Sequence, residues 1–220
     1  MILFRPVGLE ELRLIYEADR RAFPPRLPDQ PIFYPVLNEP YAAQIAREWN
    51  TLSGTRAGFV TRFEVADRYV AKFERRVVGG REHEELWVPA EELAEFNAQI
   101  VAPIVVTAAF FGDDYQGWVP KDGPLAGKNA EEQFVALAAL SRENALAEAV
   151  TASALAVYLN VFFWERGDFP ATSAASAAVR SRTRSSRRTA RASFSPITAI
   201  RWARPAPIRT TAVMAVTTSR

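Results

Sequence analysis

Arg81-Glu82-His83-Glu84-Glu85-Leu86-Trp87-Val88-Pro89 joins a charged cluster to a short apolar run. Three acids and the single histidine of the chain lead directly into residues 86–88, and Pro89-Ala90-Glu91-Glu92-Leu93 then has the composition of a helix start. Charged side chains next to the start of a buried strand cost free energy unless they form ion pairs or belong to a functional site. The segment therefore predicts a strand over residues 85–88 with a candidate functional cluster at its beginning.

The composition allows one packed domain and excludes several kinds of site. The chain has 220 residues, 49% of them hydrophobic, which is enough for one domain with a good core and a small appendage. The absence of cysteine excludes disulfides, thiolate catalysis and cysteine-ligated zinc or iron–sulfur centres. The first residues lack a basic region followed by a long apolar run, so we expect no signal peptide and a cytoplasmic location.

The charge is distributed unevenly along the chain. Residues 171–220 hold ten arginines, no lysine and no acid. The first 170 residues therefore hold 17 basic and all 25 acidic residues, a balance of −8. The sequence pI of about 9.1 reflects the tail, so we expect no specific nucleic-acid partner for the folded part.

Hydrophobic periodicity predicts an α+β domain over residues 1–112. A helix with Leu9, Leu12 and Ile15 on one face follows the first strand, and Asn38 is a suitable N-cap for a second helix carrying Tyr41 and Trp49. Residues 59–65 alternate in polarity, which is typical of a half-buried strand. The predicted strands are residues 3–7, 32–36, 59–65, 77–78, 85–88 and 104–111, and a helix over 90–96 precedes the last of them.

A linker over residues 113–128 and a helical appendage over residues 129–168 are expected to follow. Asn129 and Glu132 form a capping-box pattern, and breaks are expected near Ser141 and Asn144. Residues 145–164 are apolar enough that a membrane-spanning helix has to be considered. Glu148 and Asn160 argue against it, because charged and polar groups inside a bilayer cost free energy. A helical hairpin packed on the first domain or on a second copy is the alternative that we favour.

Residues 169–220 have a different composition, dominated by Ala, Arg, Ser and Thr without periodicity. Such a segment cannot bury enough apolar surface to offset its chain entropy, which predicts a disordered tail. A basic arm for nucleic acid or anionic lipid is one functional interpretation. All its basic residues are arginine, which is typical of GC-rich DNA translated in the wrong reading frame. We therefore favour the hypothesis that this segment results from a frameshift. Resequencing the gene near codon 170 would test it.

The order of motifs up to Phe111 resembles that of ADP-ribosyltransferase-like domains, which have a split sheet with short helices. Leu3-Phe4-Arg5-Pro6-Val7-Gly8 stands where that superfamily has its first strand, and Ile32-Phe33-Tyr34-Pro35 stands at the second motif. Glu84-Glu85-Leu86-Trp87-Val88-Pro89 stands at the strand that begins with the catalytic glutamate. The similarity covers about half of the chain.

Residues 2–110 also resemble small bacterial proteins labelled "ADP-ribosylation/J-type crystallin". The shared words are Arg-Pro-Val-Gly-Leu, Ala-Phe-Pro-Pro-Arg-Leu-Pro, Gln-Pro-Ile-Phe-Tyr-Pro-Val-Leu-Asn and Glu-Leu-Trp-Val-Pro-Ala-Glu-Glu-Leu. The metal-binding acids of the glycohydrolases that share this label are not found in the sequence. We therefore expect no metal, and NAD or a related nucleotide as the small-molecule partner.

The resemblance implies that Glu85 is the catalytic residue. A carboxylate beside the ribose of NAD can stabilise the oxocarbenium-like centre that forms as nicotinamide leaves. Glu84 is the nearest rival, but adjacent strand residues point to opposite faces, so one of the two can face a given cleft. His83 would lie on the Glu85 side and bind ribose or tune the carboxylate. All the acids of the cluster could instead be solvated residues at a loop end.

Arg5 and Tyr34 are the other two residues that the resemblance assigns to nucleotide binding. Arg5 stands where the family has a histidine that holds ribose, and it could bind a pyrophosphate or lie on the surface. Tyr34 stands where an aromatic ring stacks on nicotinamide, and it could instead belong to the core. The expected function is ADP-ribosyl transfer to an unknown acceptor or nucleotide binding, with Arg5, Tyr34 and Glu85 in one cleft. A non-catalytic interaction module is the alternative.

Overall fold

The computed structural model describes residues 1–142 and 145–166 and has an α+β fold with two small antiparallel sheets and short helices. The predicted tail over 169–220 lies outside the described residues. The strands are β1 (Ile2–Val7), β2 (Ile32–Phe33), β3 (Ala57–Glu64), β4 (Glu74–Val77), β5 (Glu84–Pro89) and β6 (Val105–Phe111). The α-helices are α1 (Leu9–Glu17), α2 (Glu39–Glu48), α3 (Asp67–Val70), α4 (Leu93–Ala98), α5 (Ala130–Arg142), α6 (Leu146–Ala152) and α7 (Ala154–Trp164).

The two sheets have three strands each and meet at one residue. The strand order is β1-β3-β6 in the first sheet and β2-β5-β4 in the second. Val36 forms an antiparallel bridge to Phe4 on one side and to Glu85 on the other. Beyond Val36, β1 and β2 diverge. The sheets are thus joined at Val36 and split on one side of it.

The first sheet is covered on both sides, which gives the molecule two distinct faces. The α1 face carries the main core, with Leu12 and Ile15 of α1 among its fully buried residues. The α2 face carries helix α2, whose Ala42 and Ala46 pack against Val60. Strand β3 is therefore buried over nearly its whole length, and the prediction that it is half-buried is wrong.

Close approach of α2 to the sheet requires a glycine on β3. A Cβ atom at Gly58 would lie 2.0 Å from the carbonyl oxygen of Ala46. Asn38 caps the helix as predicted, since its Oδ1 accepts a hydrogen bond of 2.8 Å from the Tyr41 amide. Trp49, expected on the buried face, is the C-cap of α2 and is 63% exposed.

Strands β4 and β5 form a hairpin connected by residues 78–83. The Val78 amide donates to the His83 carbonyl, and the His83 amide donates to the Gly80 carbonyl, both at 2.9 Å. Gly79 has φ of +81°, a conformation that favours glycine. The register places Arg76 opposite Glu85 and Glu74 opposite Trp87. Opposed residues share a face, so this hairpin fixes which side chains stand beside Glu85.

Three helices, α5, α6 and α7, follow the linker, and α7 packs on the first domain, where the sequence had predicted a helical hairpin. Helix α7 lies against α1 and β6, and its Phe162 and Trp164 are almost completely buried. Asn160 of α7 bonds both the amide and the carbonyl of Trp118, at 2.8 and 2.9 Å. Its Nδ2 also donates to Gln133 at 2.9 Å. This buried amide cluster ties the linker to α5 and α7.

In residues 1–142 and 145–166, no single helix is long and apolar enough to cross a bilayer; α6 and α7 meet those criteria only together, across a bend of 107°.

Candidate functional site

Glu85 stands on the α2 face in a row of side chains that crosses both sheets. Phe4, Val36, Glu85 and Arg76 are consecutive opposed partners, so their side chains share one face. Leu86 and Val88 alternate to the other face and are fully buried in the main core. Glu85 is half-buried at the border where α2 ends its coverage of the sheet.

Tyr41 from the first turn of α2 holds the Glu85 carboxylate. Its hydroxyl donates to Glu85 Oε1 at 2.9 Å. Burial, and then the hydrogen bond to Glu85, raises the pKa of Tyr41 to about 12. The phenol is therefore a fixed donor near neutral pH, and Glu85 keeps its second oxygen for another partner.

His83 lies beside this pair and is held in one orientation. Its ring stacks on the Tyr41 ring with a centroid distance of 4.2 Å and an interplanar angle of 13°. Nδ1 accepts from the Gly80 amide at 3.2 Å, and Nε2 lies 3.2 Å from Gln44 Oε1. Because Gln44 Nε2 donates to Glu48, Oε1 faces the histidine, which favours the neutral tautomer with hydrogen on Nε2.

Aromatic and cationic groups continue the same face beyond Glu85. The Tyr34 and Trp87 rings meet edge to face with centroids 5.4 Å apart. The Arg76 guanidinium lies 3.8 Å from the centre of the Trp87 ring and donates to Glu74 at 2.7 Å. A carboxylate, a guanidinium and two aromatic rings thus stand side by side on one sheet, and all are at least partly accessible.

Arg5 is not part of this face. Its Nε donates to Glu11 Oε1 at 2.8 Å, and its NH1 donates to the Tyr34 carbonyl at 3.3 Å, where β1 and β2 diverge. The guanidinium also stacks over Phe33 at 4.6 Å, in the main core. Arg5 therefore points to the α1 face, and the expectation that Arg5, Tyr34 and Glu85 line one cleft is wrong.

Arg26 lies close enough to Arg5 for their charges to interact. Burial, and then the like charge of Arg5, lowers the pKa of Arg26, while Glu11 opposes that shift. Its Nε is buried without a hydrogen-bond partner, and its NH2 donates to Gln30. Arg26 therefore belongs with Arg5 and Glu11 and, like them, is not part of the row of side chains that contains Glu85.

The structure therefore brings together Tyr34, His83 and Glu85 and separates Arg5 from them. Sequence reasoning did not assign Tyr41, Arg76 and Trp87 to the site. Two signals were present: Trp87 is two residues from Glu85 on the same strand, and Gly79-Gly80 marks a hairpin that sets Arg76 opposite Glu85. The partner Tyr41 comes from helix docking, which has no local signal.

Comparisons with protein-family models, with curated proteins and with solved structures found no match for this chain. Within the described ranges, no group of three or more His, Asp or Glu side chains is arranged to hold a metal ion.

Proposed function

We propose that the protein is an ADP-ribosyltransferase-like domain that binds NAD or a related nucleotide on the α2 face of the second sheet. The observation that carries the proposal is the shared face of Glu85, Arg76, Trp87 and Tyr34. These side chains have the chemistry that the parts of a nucleotide require. The motif order of the sequence supports the same conclusion.

Each group has a defined part in the proposed complex. The free oxygen of Glu85 accepts from a ribose hydroxyl, while Tyr41 fixes the carboxylate in place. The Trp87 and Tyr34 rings offer an apolar surface to a base or to nicotinamide. Arg76 is the cation for a phosphate, since a guanidinium matches phosphate geometry in two hydrogen bonds.

The proposed reaction follows from the position of Glu85 beside the ribose. The bond from C1′ to the nicotinamide nitrogen breaks, and nicotinamide leaves with the electron pair. The acceptor nucleophile bonds to C1′ and gives up its proton to bulk water. Glu85 stabilises the positive charge that develops on the ribose ring. The acceptor is a separate molecule or a side chain of the protein itself.

A non-catalytic binding module is the second candidate, and one observation favours it. Arg5, at the position where the resembled family holds ribose, is engaged by Glu11 on the opposite face. A domain that had lost the chemistry could keep the fold and the nucleotide surface. Binding without release of nicotinamide is the result that this candidate requires.

Calorimetric titration with NAD tests the binding proposal, and matched variants locate the site. Glu85→Gln and Arg76→Met are expected to weaken binding. Glu84→Gln and Arg75→Met are the controls, because these neighbours on the same strands point to the other face. Absence of heat with the wild type, or equal loss in the control variants, overturns the proposal.

Automodification with labelled NAD then separates the two candidates. The enzyme is expected to transfer ADP-ribose and to lose that activity in Glu85→Gln while the Glu84→Gln control retains it. Binding with no transfer and no nicotinamide release supports the non-catalytic module.

A further inference from the structure

The Nδ1 atom of His83 lies between two backbone groups that require opposite protonation states. The Gly80 amide donates to Nδ1 at 3.2 Å, and the Val78 carbonyl oxygen also lies 3.2 Å from it. An unprotonated Nδ1 can accept a hydrogen bond from the Gly80 amide but has no hydrogen to donate to the Val78 carbonyl. A protonated Nδ1 donates to Val78 and can no longer accept from Gly80.

We propose that His83 is a proton-operated switch that exchanges Gly80 for Val78 as the partner of Nδ1 and transmits its charge to Glu85 through Tyr41. The exchange needs no movement of the ring, since both partners are already in place. The ring is close against the turn, because a Cβ atom at Gly80 would lie 3.3 Å from His83 Cε1. The two glycines of the turn allow this approach.

The path from His83 to Glu85 is short and continuous. The imidazole is stacked on the Tyr41 ring at 4.2 Å, and the Tyr41 hydroxyl is bonded to Glu85 at 2.9 Å. An imidazolium over the phenol ring polarises the hydroxyl and strengthens its hydrogen bond to the carboxylate. Glu85 is then a weaker acceptor for any second donor.

Several charged or titratable groups surround His83, and the switch operates among them. Helix α2 contributes Tyr41 and the neutral Gln44, which accepts from Nε2 in both protonation states. The turn itself is exposed to water, so the proton can exchange freely. Facing groups on the hairpin are Glu85 on β5, Arg76 on β4 and, in the turn, the exposed Arg81 and Glu82.

The consequence for ligand binding rests on the proposed function. Protonation of His83 is expected to weaken NAD binding on the order of threefold, because a stronger Tyr41 hydrogen bond to one oxygen of Glu85 makes the other oxygen a weaker acceptor for the ribose hydroxyl. The added positive charge would attract the phosphates over a longer range. Measurement in about 0.5 M salt suppresses that opposing effect, since the screening length is then well below 10 Å.

A pH titration of the full chain by NMR tests the switch without any ligand. The His83 Cε1 proton, the Gly80 amide and the Glu85 carboxyl carbon are expected to shift together, with one common midpoint, as the pH is lowered. In Tyr41→Phe, the Gly80 response is expected to remain and the Glu85 response at that midpoint to disappear. A Gly80 amide that does not follow His83 in the wild type overturns the switch.

The two proposals can fail separately. If NAD does not bind at any pH, the nucleotide function fails, while common titration of His83, Gly80 and Glu85 still establishes the switch. If NAD binds with an affinity that does not change across the His83 midpoint, and the Glu85 carbon does not follow that midpoint, the switch is overturned and the binding function stands.

Discussion

Arg5 and Glu85 lie on opposite faces of the joined sheets, although the backbone segments that carry them are separated by one bridging residue, Val36. Arg5 alternates with Phe4, and it is Phe4 that shares the face of Glu85. Arg5 thus lies where β1 and β2 diverge and bonds both the Tyr34 carbonyl and Glu11 of α1. Its role in the structure is to stabilise the fold.

Arg5→Met is expected to lower the free energy of unfolding by about 3 kcal/mol, because it leaves the carboxylate of Glu11 without its buried partner. Methionine retains the apolar contact with Phe33, so the loss reports the ion pair together with the hydrogen bond to the Tyr34 carbonyl. Urea denaturation followed by tryptophan fluorescence measures it. Arg13→Met is the control. Arg13 lies on α1, the helix that carries Glu11, and its ion pairs with Glu10 and Glu17 are exposed, so they are worth less than about 1 kcal/mol.

Gly58→Ala is expected to displace α2 and to destabilise the protein by about 3 kcal/mol. The new methyl would meet the Ala46 carbonyl, which is backbone and cannot move aside without the helix. Thermal unfolding measures the effect. Gly8→Ala is the matched control, because a Cβ there meets no atom within 4 Å. Equal melting temperatures for the two variants would contradict the close packing of α2.

Local chemistry explains which parts of the fold were predictable. The Asn38 cap and the Asn129 capping box are set by residues three positions apart, and both are confirmed, the box with reciprocal bonds of 2.9 and 3.0 Å. Gly79-Gly80 is likewise a local turn signal between β4 and β5, although no hairpin was predicted from it. These features depend on neighbours in sequence.

Features that depend on docking were not predictable. Alternation in β3 indicated one buried face, but α2 covers the other face and makes the whole strand interior. Tyr41 joined the site because the first turn of α2 docks beside β5, 44 residues away in sequence. Arg5 was assigned to a ligand because it stands where the resembled family has its ribose-binding histidine. Its partner Glu11, on α1, is recognisable only when the sheet and helix are assembled.

Asn160→Leu is expected to cost about 3 kcal/mol, since it removes the partner of the partly buried Trp118 amide and of the fully buried Gln133 Oε1. The side chain is fully buried, so water cannot replace the lost bonds. Chemical denaturation measures the change. Gln116→Leu removes an exposed amide nearby and is expected to have little effect; a similar cost there would mean that the buried cluster is not what stabilises the helices.

Tyr41→Phe is expected to reduce the loss of stability at alkaline pH. Since the pKa of Tyr41 is raised to about 12 in the folded state, the folded protein holds this proton more tightly than the unfolded chain does. The contribution of Tyr41 is therefore complete below about pH 10, the ordinary value for tyrosine, and falls as the pH rises toward 12. Denaturation curves between pH 9 and 12 measure the slope for both proteins. Phenolate absorbance provides the independent check: the difference between wild type and Tyr41→Phe should show a midpoint near 12, and a midpoint near 10 would mean that the hydroxyl is neither buried nor bonded to Glu85.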